Sequence, residues 1–138
     1  MIVQKAGFLD VATLGRMNLL LIRDSGHRNP MNQAQLARRM RKWMEGEYTA
    51  YLIKIRELPV GYCLCRKEKE FLYIRQFFIE RAYRNRGLGR RAFHLLRKKA
   101  WKKAVLLRMD VLVGNKTGIR FWKALGFKDY CLTMEKNN

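Results

Sequence analysis

The stretch Ile79–Trp101, "IERAYRNRGLGRRAFHLLRKKAW", sets two close glycines between a strand-like run and a helical one. The preceding run, "FLYIRQFFIE", has the composition of a strand. A strand that enters a helix through small residues directs backbone N–H groups and the positive end of the helix dipole at one point. We therefore expect a binding site for an anion such as a pyrophosphate at the glycines. Apolar residues then recur on one helix face at Leu88, Ala92, Leu95 and Leu96.

The same glycines also fit a dinucleotide-binding fingerprint. Residues 87–92 spell G-x-G-x-x-A, and Asp110 follows roughly twenty residues later. A dinucleotide domain needs repeated β-α-β units, whereas a predicted antiparallel meander precedes these glycines and too little chain follows them. Asp110 is also expected inside a strand rather than at its carboxyl end. The "GNKTG" run at 114–118 lacks the upstream glycine of a P-loop, so we set both nucleotide folds aside.

The length of 138 residues and the apolar content of 49% predict one globular domain over residues 1–138. Periodicity and turn residues predict an α+β fold with helices and strands in the following order. A short opening strand precedes helices over about 11–23 and 33–45, then strands over 48–56, 60–67 and 71–80, the helix after the glycines, a strand over 104–113, a helix over 116–125 and a final strand near 130–134.

The chain is strongly basic, with 30 Lys and Arg against 11 Asp and Glu and a formal charge of +19. Such a surface attracts anions, more strongly at low salt. A nucleic-acid-binding module is therefore an alternative function, in which one basic helix would contact phosphates. Its cations would be Arg86, Arg90, Arg91, Arg97, Lys98, Lys99, Lys102 and Lys103.

The cysteines and the first residues of the sequence bear on the cellular compartment of the protein. Cys63, Cys65 and Cys131 form neither a C-x-x-C pair nor an even set, which fits reduced thiols in a cytoplasmic protein. The two histidines lack a second ligand at metal-binding spacing, so we expect no metal. Asp10 and Arg16 interrupt the first apolar segment, which is therefore predicted to be neither a signal peptide nor a membrane anchor.

Two motifs together give the chain a family resemblance. "RNRGLG" after "QFFIE" has the form R-x-x-G-x-G, and "VLVGNKTGIRFWKALGF" follows it. They resemble the GNAT superfamily of acetyl-CoA-dependent N-acetyltransferases, over about residues 72–130. The resemblance implies a mixed, mostly antiparallel sheet flanked by helices, whose fourth and fifth strands splay apart around the pantetheine arm of acetyl-CoA. It also implies direct transfer of the acetyl group to a primary amine.

The resemblance implies specific contacts with acetyl-CoA. Backbone groups of Phe77, Phe78 and Ile79 would pair with the pantetheine arm, while one of those rings packs in the core. Asn115 would approach the cofactor from the opposite side, with a helix N-cap as its alternative role. Trp122, where relatives often carry a tyrosine, is counted with the cofactor-binding residues. The pyrophosphate would be held by Arg84, Asn85, Arg86, Gly87, Leu88, Gly89 and Arg90.

Catalytic roles follow from the same resemblance. Asp110 is the expected base, because ribosomal-protein N-terminal acetyltransferases carry an acidic residue at that place; a carboxylate paired with an arginine is the alternative. Glu80 is a weaker candidate. A backbone N–H near Phe78 would polarise the thioester carbonyl. The indole N–H of Trp122 cannot protonate a thiolate, so Tyr130 would be the acid if the last strand turns it inward.

The acceptor is expected to be a small amine or an amine of a protein or peptide. The loop Gly26–Pro30 would border its pocket, with Tyr51, Tyr73 or Gln76. The basic surface disfavours a polycationic aminoglycoside and favours an amine carrying carboxylates or phosphates, or a protein on an acidic assembly such as the ribosome. Nucleic acid is expected to bind at most weakly and without specificity, and we expect no membrane partner and a monomer or homodimer. A catalytically silent acyl-CoA-binding protein is the third alternative, because the usual tyrosine is missing.

Overall fold

The computed structural model describes all 138 residues, which form four helices and five strands. The predicted α+β class is confirmed, and the predicted order of elements holds as far as the last helix. Short 3-10 turns occupy Phe8–Asp10 and Arg81–Tyr83. The elements are β1 (Ile2–Lys5), α1 (Val11–Ser25), α2 (Gln33–Glu45), β2 (Tyr48–Ile55), β3 (Leu58–Lys67), β4 (Leu72–Ile79), α3 (Leu88–Lys99), β5 (Leu107–Met109) and α4 (Lys116–Ala124).

The five strands form one mixed sheet in the order β1-β2-β3-β4-β5. The first four strands are antiparallel neighbours, and β5 lies parallel to β4. A two-residue loop joins β2 to β3, and both of its residues, Arg56 and Glu57, have positive φ angles of 49° and 69°. Such angles are typical of a type I′ turn, whose twist matches that of the flanking strands.

Helices cover both faces of the sheet and enclose two hydrophobic cores. The face toward α1 and α2 buries Leu14, Met17 and Met40 against Tyr62 and Phe78. The face toward α3 and α4 packs its side chains around Trp122. None of the helices is long and apolar enough to cross a membrane. The members of this second core include Ile53, Ile74, Ile79, Phe93, Leu96 and Trp101.

Strands β4 and β5 diverge after a short shared segment. They pair only from Leu72 with Leu107 to Ile74 with Met109, while β4 continues to Ile79. A bulge in β4 falls at the same point, because Ile74 pairs with Cys65 and Gln76 with its neighbour Leu64, leaving Arg75 between them. The outer half of β4 therefore has a neighbour on one edge only, which is the splay that the resemblance implies.

Two strand predictions differ from the structure. β5 spans three residues instead of 104–113, so Asp110 lies just beyond its carboxyl end rather than inside it. The position of Asp110 thus no longer argues against a dinucleotide site, but the antiparallel meander still does, since the sheet contains a single parallel pair. The predicted strand near 130–134 is wrong. Tyr130, Leu132 and Met134 alternate as in a strand, but they are exposed, because no strand pairs with them.

Candidate active site

A cleft of about 240 Å³ opens where β4 and β5 diverge. Its floor is the middle of β4, from Tyr73 to Phe77, and one wall is the segment from Met109 to Leu112. Asn115 and Trp122 close it on the side of α4. The opposite wall comes from the end of α1, the following loop and α2. His27 is the residue of the predicted loop Gly26–Pro30 that lines this wall. Of the residues expected to border the acceptor, Tyr73 and Gln76 line the cleft and Tyr51 does not.

The backbone of β4 presents alternate residues to the open side. Glu80 N–H donates to the carbonyl of Val60 in a bond of 2.8 Å, so its backbone faces β3. Because backbone groups alternate along a strand, those of Phe78 also face β3, while those of Phe77 and Ile79 face the opening. The Ile79 carbonyl accepts a bond from Arg84 Nε at 2.7 Å. Of the backbone N–H groups near Phe78, the N–H of Phe77 is therefore the one that fits the predicted donor to the thioester carbonyl.

The side chains on this part of β4 follow the same alternation. Phe78 is 3% exposed and packs against Tyr62 in the core under α1 and α2. Phe77 lies on the other face, where its ring meets Trp122 edge-on with centroids 5.2 Å apart. One phenylalanine ring is thus a core residue, as expected, and the other forms part of an aromatic wall beside the cleft.

The glycine loop leads into a helix N-terminus that has no side-chain cap. Gly87 has a φ of +73° and Asn85 a φ of +62°, and the first helical bond runs from Arg91 N–H to the Gly87 carbonyl. The N–H groups of 88–90 precede that bond and have no acceptor within the helix. Gly89 has a packing role, because a Cβ there would lie 3.0 Å from Cε1 of Phe121 on α4. The loop thus has the uncapped helix N-terminus on which the prediction of an anion site depends.

The arginines around this loop differ in whether they pair with a carboxylate. Arg84 donates to the Ile79 carbonyl and, at 2.7 Å, to Asp24 on α1. Asp24 also pairs with Arg81, at 3.0 Å, and through these bonds Arg84 fixes the loop against α1. Arg86 and Arg90 are exposed and form no ion pair with a carboxylate. With Arg91, which is also exposed and unpaired, these side chains are the cations that remain beside the N-terminus of α3.

Asp110 and Tyr73 form a hydrogen-bonded pair in the cleft. The Tyr73 hydroxyl donates to Asp110 Oδ2 at 2.7 Å. Burial first, and then the bond and charge of Asp110, raise the pKa of Tyr73 to about 12, so the hydroxyl stays protonated at neutral pH. Asp110 forms no ion pair, which weighs against its alternative role as the partner of an arginine. Sequence reasoning placed Tyr73 at the acceptor pocket but missed its bond to Asp110.

Two residues of the second motif line the cleft from α4. Asn115 Oδ1 accepts a bond from Gly118 N–H at 3.0 Å, so Asn115 is the N-cap of α4. It also faces the cleft, and its two alternative roles are therefore compatible. Trp122 is 9% exposed and packs against Phe121 and Phe127. Trp122 therefore forms, with Phe77, the aromatic wall of the cleft.

Two further catalytic candidates lie outside the cleft. Tyr130 is 81% exposed, and the Arg108 guanidinium stacks on its ring at 4.6 Å. The inward orientation on which its role as an acid depended is absent, because the last strand does not form. Glu80 forms an ion pair with Arg16 at 2.7 Å and does not line the cleft.

Two arginines that sequence reasoning did not single out line the acceptor side of the cleft. Arg39 on α2 and Arg75 on β4 both stack on Trp43, at 4.3 and 4.7 Å from the ring centroid. Burial and then the charge of Arg39 lower the pKa of nearby His27, which favours its neutral form. Only the pairing of distant segments brings these residues together, so no local sequence signal marks them.

Solved structures with this fold include several acetyltransferases. A tetramutant of the BH1408 protein from Bacillus halodurans, another structure with this fold, has a TM-score of 0.82 at 20% identity, with all of both chains covered. Aminoglycoside N-acetyltransferase AAC(6′)-Iy in complex with CoA has a TM-score of 0.77 at 9% identity, over 99% of this chain and 93% of that one. A predicted acetyltransferase with acetyl-CoA from Clostridium acetobutylicum has a TM-score of 0.75 at 15% identity, over 99% and 95%.

At these identities the structures show a shared fold and say nothing of this chain's substrate. No curated protein is significantly similar to the chain in sequence. The model of the acetyltransferase (GNAT) family matches residues 19–127, which include α2, all of β2–β5 and the whole cleft. The chain therefore belongs to the GNAT acetyltransferase family.

Proposed function

We propose that this protein transfers the acetyl group of acetyl-CoA to a primary amine by direct attack. The observation that carries the proposal is the cleft in which an open edge of β4 meets the Asp110–Tyr73 pair, while the uncapped N-terminus of α3 packs on Ile79 at the end of the same strand. Two structures of the same fold contain CoA or acetyl-CoA, which supports the same cosubstrate here.

The residues present fit acetyl-CoA. Backbone groups of Phe77 and Ile79 would pair with the pantetheine arm, and Asn115 with Trp122 would bound it from α4. The N–H groups of 88–90 would hold the pyrophosphate, with Arg86 and Arg90 adding charge, at about 1.5–3 kcal/mol for each charge-assisted bond. Apart from the adjacent residues, no heavy atom lies within 4 Å of where a Cβ on Gly87 would stand, so this side of the loop is open.

Acetyl-CoA supplies the acetyl group as a thioester. Asp110 would take a proton from the acceptor amine, and the Tyr73 hydroxyl would hold the carboxylate in place. The Phe77 N–H would donate to the carbonyl oxygen as negative charge develops there. A thiol with a pKa of about 8.5 leaves as its anion, so the reaction does not depend on an acid at Trp122 or Tyr130.

The cofactor assignment is tested by thermal unfolding with acetyl-CoA, CoA, NADH and ATP. Ligand at a hundred times its Kd stabilises a protein by about 2.7 kcal/mol, so acetyl-CoA and CoA should raise the Tm by several degrees and the other two much less. Gly87→Val should remove most of this shift. Gly126→Val is the matched control, because Gly126 also has a positive φ, +97°, and open space, but lies after α4. Equal stabilisation by all four ligands would reduce the loop to a general anion site.

Catalysis is tested separately by following thiol release from acetyl-CoA with amino acids, polyamines, aminoglycosides and basic peptides. We expect release with at least one amine. Binding of acetyl-CoA without release from any acceptor would support the silent acyl-CoA-binding alternative instead.

A further inference from the structure

We propose that the acceptor is a small amine that also carries an anionic group, a carboxylate or a phosphate, and that Arg39 and Arg75 bind this group. The proposal rests on the proposed acetyl transfer and adds the chemical class of the acceptor. It depends on the wall of the cleft opposite α4, where the two guanidinium groups flank the indole of Trp43.

The two guanidinium groups are held by uncharged partners. Arg39 Nη2 donates to Asn18 Oδ1 at 3.1 Å, and Arg75 Nη1 donates to the Tyr48 hydroxyl at 3.3 Å. Stacking on Trp43 fixes both planes. Arg39 Nε is buried and has no hydrogen-bond partner. These contacts orient the two groups and leave donors unused.

Neither arginine has a counter-charge. Arg66, which stacks on the same Tyr48 ring, is paired with Glu68, and several other arginines pair with Asp or Glu. Arg39 and Arg75 form no such pair, and the only carboxylate lining the cleft is Asp110, which is held by Tyr73. Burial and then the charge of Arg75, which is itself exposed, lower the pKa of Arg39, the direction expected for a half-buried cation beside a like charge. An anion bound between them would relieve both costs.

The layout of the cleft matches an acceptor with two different ends. Asp110 stands beside the divergence of β4 and β5, where an amine must be deprotonated, and the arginine pair lies on the wall formed by α1 and α2. The volume of about 240 Å³ is below the roughly 300–1,000 Å³ of pockets for drug-sized ligands, which favours a small acceptor. A polycation would meet two unbalanced positive charges, so we infer a different acceptor class from that of the aminoglycoside N-acetyltransferase with the same fold.

The test compares acceptors that carry an anionic group with close partners that lack it. O-phosphoethanolamine is compared with ethanolamine, and β-alanine with β-alaninamide, by thiol release from acetyl-CoA; neamine and a basic peptide represent cationic acceptors. The anionic member of at least one pair should have the higher kcat/KM, by about ten- to a hundredfold, which is the usual effect of a charge-assisted hydrogen bond. Equal or better turnover of the neutral and cationic acceptors would overturn the proposal while leaving acetyl transfer intact.

Substitutions locate the effect. Arg39→Gln and Arg75→Gln should each raise KM for the anionic acceptor about tenfold or more and change KM for its neutral partner little. Arg38→Gln is the matched control, because it removes the same charge from an exposed position of α2 outside the cleft. Unchanged KM values in both cleft variants would contradict the proposal and assign the two arginines to packing on Trp43.

A binding measurement separates this inference from the proposed function. Calorimetric titration with glutarate and with inorganic phosphate needs no turnover. Binding of at least one anion should weaken in the Arg39→Gln/Arg75→Gln double variant and persist in Gly87→Val, which alters only the other anion site. If no acceptor releases thiol but this pattern is found, acetyl transfer fails and the anion site stands. If the double variant binds both anions as the wild type does, the anion site fails.

Discussion

Asp110→Asn is the substitution that most directly tests the proposed chemistry. It keeps the size of the side chain but removes the base and the anionic acceptor of the Tyr73 hydroxyl, 2.7 Å away. General base catalysis contributes about 10²–10⁴-fold, so we expect kcat/KM for the acceptor to fall at least about a hundredfold. Affinity for acetyl-CoA should change little, because the N–H groups proposed to hold the pyrophosphate belong to α3 and Asp110 follows β5.

The pH dependence of this loss follows from the role of a base. At low pH the amine arrives protonated and needs Asp110, whereas near the pKa of the amine the free base can attack without help. The deficit should therefore be largest at low pH and shrink toward about pH 10, where amines with pKa values near 10.4 lose their protons. The measurement is kcat/KM by thiol release across this range. Asp129→Asn, an exposed carboxylate outside the cleft, is the control and should leave the profile unchanged.

Tyrosinate absorbance gives a second readout that does not depend on turnover. In the wild type Tyr73 has a pKa of about 12, and burial is the largest cause. Asp110→Asn removes the negative charge that also raises it, so the pKa of Tyr73 should fall but remain above 10. An unchanged rate in a folded variant in which the pKa of Tyr73 has fallen would refute the role of Asp110 as base. The carboxylate would then serve only to hold Tyr73.

Two further predictions concern the α4 cap and the basic helix. In Asn115→Ala the Gly118 N–H loses the side-chain acceptor that caps α4, so the free energy of unfolding in urea should fall by about 1 kcal/mol. Lys116→Ala, an exposed change in the first turn of the same helix, is the control, and equal stability of the two variants would contradict this role of Asn115. The exposed cations of α3 should bind RNA or DNA only weakly, and fluorescence anisotropy should show affinity falling by orders of magnitude between about 50 and 200 mM salt. Tight, sequence-specific binding at physiological salt would instead favour the nucleic-acid-binding alternative.

The features that sequence reasoning predicted well depend on nearby residues. Asn32 caps α2 by accepting a bond from Gln35 N–H at 2.9 Å, three residues away. Gly26 ends α1 with a φ of +76°, as the glycine after the helix indicated. The strand, loop and helix around Gly87 are likewise contiguous in sequence. In each case one short segment contains both the signal and the structure that it specifies.

The features that it missed depend on how distant segments pair. Tyr73 reaches Asp110 because β4 and β5 are parallel and Tyr73 stands opposite Arg108, two residues before the carboxylate. The final segment shows the converse, since its alternating apolar residues have the local pattern of a strand but find no partner strand. A strand pattern gives a strand only where another strand can complete its hydrogen bonds. Periodicity does not reveal such partners.

The bulge at Arg75 connects the parts of the proposed site. Before it, Leu72 N–H donates to the Leu106 carbonyl, so the backbone groups of even-numbered residues of β4 face β5. After it, Glu80 N–H donates to Val60, so those of even-numbered residues face β3. One inserted residue has reversed the alternation, and this reversal turns the backbone of Phe77 toward the opening.

The same reversal also changes which face of the sheet the side chains after the bulge occupy. Arg75 and Gln76, although consecutive, both contact the layer under α1 and α2, where Arg75 meets Tyr48 and Gln76 accepts a bond from the Tyr62 hydroxyl at 2.7 Å. With regular alternation, the ring of Phe78 would point toward α3 and α4, and the Phe77 N–H would be used in the ladder with β3. The proposed carbonyl donor and the burial of Phe78 under α1 and α2 therefore depend on one irregularity, at the point where β5 ends.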